Sequence, residues 1–191
     1  FGAPFGFATL DASGILESSQ RFTDVSSVLN NVRLGNGASF GNGTNNSALG
    51  ALTLTVVDTG DFNTAAGSTA LTSNVSGNHN AGFGYNALRS CTIDELYAFG
   101  SGALQNCSSI ENNAFGYHAL YGTTIGVRNT GMGYKVLEQN TNGNSNSGFG
   151  ASVLAALAAG SNNTGSGSQA MMNLTSGNSN TAMGSGSLTA M

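Results

Sequence analysis

Four successive stretches between Gly126 and Met191 repeat one pattern, and that repetition constrains the fold more tightly than any local propensity. From the first glycine of each copy the chain reads GVRNTGMGYKVLEQNTN, GNSNSGFGASVLAALAA, GSNNTGSGSQAMMNLTS and GNSNTAMGSGSLTAM, a period of 17 residues. Self-similarity at a short fixed period marks a solenoid, in which each copy buries its apolar face only against its neighbours.

The pattern extends far toward the N-terminus. Its second glycine recurs at Gly50, Gly67, Gly84, Gly100, Gly116, Gly133, Gly150, Gly167 and Gly184, at steps of 17 or 16. Four residues earlier stands an asparagine, from Asn46 to Asn180, with Leu96 the exception; four residues later stands a leucine, from Leu54 to Leu188, with Met171 the exception. A degenerate copy precedes these, with Asn31, Leu34, Gly35 and Ala38 in place and Arg33 where the others carry Ala or Gly. The expected fold is therefore all-β: a parallel β-solenoid, or β-roll, of about ten 17-residue coils over 31–191, preceded by an N-terminal segment over 1–30.

That segment keeps only half the pattern. FGAPFGFATL matches at Phe5, Gly6 and Leu10 and reads as a strand, with Pro4 suited to an edge or an entry turn. From Ile15 to Leu34 the apolar residues Ile15, Phe22, Val25, Leu29 and Val32 fall at helical spacing, with Asp24 a candidate N-cap and Gly35 a candidate stop. A short helix is the expectation there.

Within each coil two short extended runs are expected, N-x-small-bulky-G and x-x-Ala/Val-Leu. The residue before the shared glycine is mostly large and apolar (Phe83, Phe99, Phe115, Phe149), and the residue before that is only Ala or Gly, from Ala48 to Ala182. Adjacent strand residues face opposite ways, so one column points into the coil and the other out. Sequence alone leaves the choice open. If the small column points inward, an apolar stripe lies outside and calls for a cover. Like residues in successive coils would stack about 4.8 Å apart, the asparagines forming an amide ladder, each amide donating to the next. The glycines are expected at positive φ or at close backbone contacts.

Only 7% of residues are charged and the net charge is −4, so no basic stripe is available for nucleic acid. No apolar run approaches the roughly 20 residues that span a bilayer, so no membrane insertion is expected and the chain reads as soluble. Cys91 and Cys107 lie three residues after the leucine in adjacent copies, hence in one column, at a Cα separation of about 5 Å that suits a disulfide in an oxidising compartment. Free buried thiols are the other reading, and two cysteines without a histidine column do not make a metal site. Sequons at Asn42, Asn45, Asn74, Asn106, Asn162 and Asn173 are candidate glycosylation acceptors. Asp58 with Asp61, and Asp94 with Glu95, fall in different coils and read as solvated loop carboxylates joined by no recurring column. His79 and His118 occupy different phases of the unit with no nucleophile beside them. No catalytic residue and no cofactor or metal site is expected, and the chain is not read as an enzyme.

The unit N-T-[AG]-x-G-x-x-A-L, as in Asn63 to Leu71, Asn129 to Leu137 and Asn180 to Leu188, resembles the Asn-Thr-Ala-x-Gly-x-x-Ala-Leu repeats of phage and viral tail-fibre proteins and bacterial surface proteins. More distantly it is similar to the head repeats of trimeric autotransporter adhesins, which form left-handed parallel β-rolls packed as trimers. The resemblance implies a place outside the cell or on the surface of a virion or cell. Three functions follow as expectations. The first is a structural subunit of an extracellular fibre or filament that assembles with copies of itself, Phe1, Phe5, Phe7 and Leu10 of one subunit covering Leu188 and Met191 of another. The second is a module of such a fibre that binds a receptor or cell-surface glycans. The third, an ice-binding array, is disfavoured because the column of Thr64, Thr130, Thr164 and Thr181 is interrupted by Tyr97 and Asn113.

Overall fold

The structure, a computed structural model, describes residues 31–34, 42–56 and 59–189. Ten three-residue strands form one parallel sheet in chain order: β1 (Val32–Leu34), β2 (Ser47–Leu49), β3 (Thr64–Ala66), β4 (Ala81–Phe83), β5 (Tyr97–Phe99), β6 (Asn113–Phe115), β7 (Thr130–Met132), β8 (Ser147–Phe149), β9 (Thr164–Ser166) and β10 (Thr181–Met183). Each strand pairs with the next in strict register, Ala65 with Gly82 and Phe83 with Phe99, for example. This is the parallel β-solenoid expected from the period. The degenerate copy supplies its first strand, Arg33 pairing with Ala48. The helical spacing that ran to Leu34 ends in that strand instead, because pairing of Val32–Leu34 with β2 satisfies the backbone there. The strand over 1–10 and the remainder of the helix lie outside the described residues.

The structure decides which column points inward. The small residues Ala48, Ala65, Ala98 and Ala114 are buried to within 3% or less, and their large neighbours face out. The reason is the opposite wall. Leu54, Leu71, Leu88, Leu104, Leu120, Leu137 and Leu154 are fully buried across from the strands, and a coil this thin has room for one large side chain per layer. A Cβ on Gly82 or Gly131 would already meet a leucine at 3.4 Å. Burying each leucine contributes about 1.5–3 kcal/mol, so the column is a main source of stability.

The second extended run does not form. After the shared glycine the backbone turns through the left-handed region, at Leu52 (φ 53°) and Leu54 (φ 47°) in one coil and at Lys135 and Leu137 (both φ 52°) in another. Such φ values cost a non-glycine residue about 1–2 kcal/mol each. What holds them is stacking: Leu54 N–H donates to Ala70 O at 3.1 Å and Leu137 N–H to Val153 O at 3.0 Å, so each turn hydrogen-bonds to the turn of the next coil.

The shared glycine is obligatory. Its φ runs from 106° to 141° across nine copies. A Cβ on Gly67 would lie 2.5 Å from the Gly84 carbonyl oxygen, and one on Gly84 would lie 2.6 Å from that of Gly100. Both expectations for this column, positive φ and close backbone approach, are met.

Candidate interaction surface

The asparagine column is the polar spine of the interior. Asn46, Asn63, Asn112, Asn129, Asn146 and Asn163 are essentially inaccessible. Each Oδ1 accepts the backbone N–H of the residue one coil on, as in Asn80 N–H to Asn63 at 3.0 Å and Asn163 N–H to Asn146 at 3.0 Å. Each Nδ2 donates to a turn carbonyl, Asn63 to Gly77 at 2.8 Å and Asn146 to Gly160 at 2.7 Å. The expected amide-to-amide rung is present only in later coils, from Asn129 donating to Asn112 at 3.1 Å through Asn180 donating to Asn163 at 2.9 Å. Buried amides thus serve mainly to satisfy backbone groups at the corner of the coil.

A second polar column was missed in the sequence. Asp61 Oδ1 accepts Thr44 N–H at 2.6 Å, Asn78 accepts Asp61 N–H at 2.8 Å, and Asp94 accepts Asn78 N–H at 2.7 Å. Asn144, Ser161 and Asn178 continue it. Asp61 and Asp94 therefore do share a column, and its task is to cap backbone N–H groups between coils. The signal was available two residues before each asparagine. Mixed identity hid it, because Asp, Asn, Ser and Thr all accept such a bond.

Cys91 and Cys107 stack in one interior column, as expected, but both are free thiols. The expected disulfide is corrected by geometry. In an in-register parallel stack the Cα–Cβ bonds run side by side, so Cβ atoms stay at the strand spacing of about 4.8 Å, whereas a disulfide needs about 3.5–4.5 Å. The sulfurs bond elsewhere. Cys91 Sγ donates to Leu104 O at 3.1 Å and Cys107 Sγ to Ser109 O at 3.0 Å. Burial pushes the Cys91 thiol well up. The Cys107 thiol is lowered to about 7, chiefly by the neighbouring Cys91 thiol and further by Ser109 and Asn112.

Of the sequons, Asn42, Asn162 and Asn173 are exposed, and Asn45 and Asn106 are half-buried. Asn74 is wholly buried, with its amide engaged by the N–H and carbonyl of Gly77 at 2.8 and 3.0 Å, which removes it as an acceptor. Asp58 and the assembly residues Phe1, Phe5, Phe7, Leu10 and Met191 lie outside the described residues. Leu188 is 43% exposed, unlike the rest of its column. His79 stacks on Phe62, and His118 stacks on Tyr117 with its Nδ1 3.3 Å from Glu138. Among the described residues no group of three or more His, Cys, Asp or Glu could hold a metal ion, and no helix is long and apolar enough to cross a membrane.

What remains is a surface. The outward column of the sheet runs Leu49, Ala66, Phe83, Phe99, Phe115, Met132, Phe149, Ser166, Met183. Phe83, Phe99 and Phe115 stack face to face, with centroids 4.6 and 5.0 Å apart, matching the strand spacing. Leu49 is 55% exposed and Met183 78%. The other outward column runs from Ser47 to Thr181 and is polar except at Ala81, with Tyr97 its one large member. Neither outward column of β2 to β10 holds an Asp, Glu, Lys or Arg. The charged side chains sit instead in the turns, where Glu111 pairs with Arg128 at 2.9 Å and Lys135 with Glu138 at 3.1 Å.

Compared with known proteins, the chain matches no family model, no characterised protein and no solved structure.

Proposed function

We propose that this chain is a structural subunit of an extracellular fibre or filament and works by assembling with copies of itself. The observation that carries the reading is the uncharged face of β2 to β10, whose large column is apolar at every position but Ser166 and runs about 40 Å over nine strands spaced about 4.8 Å apart. An exposed apolar strip of that length on a rigid rod calls for a partner. A second rod of the same chain offers the same repeat distance, so contact can be made at every layer. Side-by-side packing through this face is the route the geometry favours over end-to-end contact. No catalysis, cofactor or nucleic acid enters the reading.

Sedimentation velocity over a concentration series, with negative-stain imaging, tests it. The expected result is concentration-dependent particles wider than one rod, reduced to single rods by Phe99→Glu with Phe149→Glu. Single rods of the unmodified chain at every concentration would overturn it.

A second reading is a glycan-binding module of such a fibre. It is favoured by one observation, the exposed, stacked tyrosines Tyr117 and Tyr134 beside the His118, Lys135 and Glu138 cluster. Binding to a glycan array that is lost on Tyr134→Ala would support it.

A further inference from the structure

Resting on the self-assembly reading, we propose that two copies pack face to face in opposite directions, with β3 of one against β8 of the other, so that Phe149 fills the dent over Ala66. The large outward column is broken twice. Ala66 stands between Leu49 and Phe83, leaving an apolar dent of about 200 Å³, and Ser166 stands likewise between Phe149 and Met183. That volume suits one side chain better than a small molecule, whose pockets run from about 300 Å³.

The position of the two gaps selects the arrangement. A copy running the same way at the same level would face β3 with the partner's own β3, whose outward residues are Thr64 and Ala66, and would leave both gaps unfilled. A copy related by a two-fold axis parallel to the strands reverses the order, and full overlap of ten strands places that axis between β5 and β6. β3 then faces β8 and β9 faces β2. Phe149 lies over Ala66, Leu49 lies over Ser166, and Phe99 meets Phe115 at the centre. The one register that overlaps all ten strands also puts a bulky residue on each gap.

Extent and charge agree with this. Strands of three residues make a face about 45 Å long and about 10 Å wide, roughly 450 Å² per partner, which is the size of a weak, reversible interface and not of a permanent one. Strand directions stay aligned, as in sheets packed about 10 Å apart. No charge is buried, since the outward columns of β2 to β10 carry none.

Engineered cysteines and a size exchange test the register in the full chain. A mixture of the Ala66→Cys and Phe149→Cys proteins, oxidised together, should give a covalent dimer of one of each, while neither protein links to itself. Ala66→Phe sets bulk against bulk at both symmetry-related contacts, so association should weaken at least about tenfold. Adding Phe149→Ala to the same chain should restore it. Both sites face outward, so melting that matches the unmodified chain at dilutions where that chain is a single rod separates lost association from lost fold. Self-linking of Ala66→Cys without the mixed dimer would overturn the register and leave self-assembly standing. An unmodified chain that stays a single rod would overturn both.

Discussion

The coils from Asn112 to Asn180 and the two 16-residue coils between Gly84 and Gly116 share one glycine column and one leucine column, yet they satisfy their interiors differently. In the longer coils every corner amide has a successor. Asn112 takes Asn129 N–H at 2.9 Å and Asn129 takes Asn146 N–H at 3.0 Å. In the shorter pair the missing residue falls in the turn, since Asn63 reaches Gly77 but Asn80 reaches Ile93, 14 and 13 residues on. There Leu96 replaces the asparagine. Asn80 still accepts Leu96 N–H at 2.9 Å, but Leu96 has no oxygen to pass on and no amide to donate. The carbonyl of Ser109 is taken instead by the Cys107 thiol and by Asn112 Nδ2, at 3.0 and 3.2 Å. A thiol and the amide of the next coil stand in for the missing one. The solenoid thus tolerates a change of length or of column residue where neighbouring side chains take over the corner carbonyl.

The two regions should respond alike at the glycine column they share. Gly100→Ala or Gly133→Ala should destabilise by about 4 kcal/mol or more, in short and long coils alike, because positive φ and the next carbonyl both exclude a Cβ. Urea unfolding followed by circular dichroism would show it, and a loss below 1 kcal/mol at either site would contradict the stacking.

At the corner the regions should diverge. Asn146→Leu copies into a long coil what Leu96 does in a short one, but strands Asn163 N–H and Gly160 O, at about 1–3 kcal/mol each. Leu96 is tolerated only with its local substitutes. Asn146→Leu should therefore lower the urea midpoint sharply, and a neutral outcome would show that the amide column is dispensable.

A third difference depends on pH. The folded Cys107 thiol ionises at about 7, below its ordinary 9.0, so ionisation favours the fold. Its contribution is complete above pH 9 and is lost as pH falls through 7. Cys91, pushed up by burial, opposes this only above pH 9, where the unfolded thiol ionises. Stability should rise by about 1–3 kcal/mol from pH 7 to pH 9 in the unmodified chain and stay flat in Cys107→Ser.

The smallest effect concerns Thr123, which occupies the column of Cys91 and Cys107 in the next coil. Its buried hydroxyl has no partner, whereas Asn140 at the same place caps Gly143 at 3.0 Å. Thr123→Val should raise stability by about 1 kcal/mol in thermal melts, since it removes an unmet polar group without changing shape.

Much of this was legible in the sequence, because a repeat writes each interior column as a recurring letter. Glycine, asparagine and leucine were read correctly for that reason. Two things were not legible. Alternation says that Ala65 and Ala66 face opposite ways but not which is inside, and only the leucine wall across the coil decides it. Nor does any propensity mark Leu54 or Leu137 as left-handed, since bonds to the next coil impose that conformation. The cysteine pair failed differently: its column and spacing were right, but parallel side-chain directions were left out of account.

Because the hydrogen bonds between coils lie along the rod, a lengthwise pull loads them one layer after another and not all at once. Each coil that peels away would pay out about 17 residues of chain, on the order of 50 Å of slack, before the next layer bears the load. A filament of such rods would yield under tension in small steps and could rewind when released, a spring whose travel is set by the number of turns.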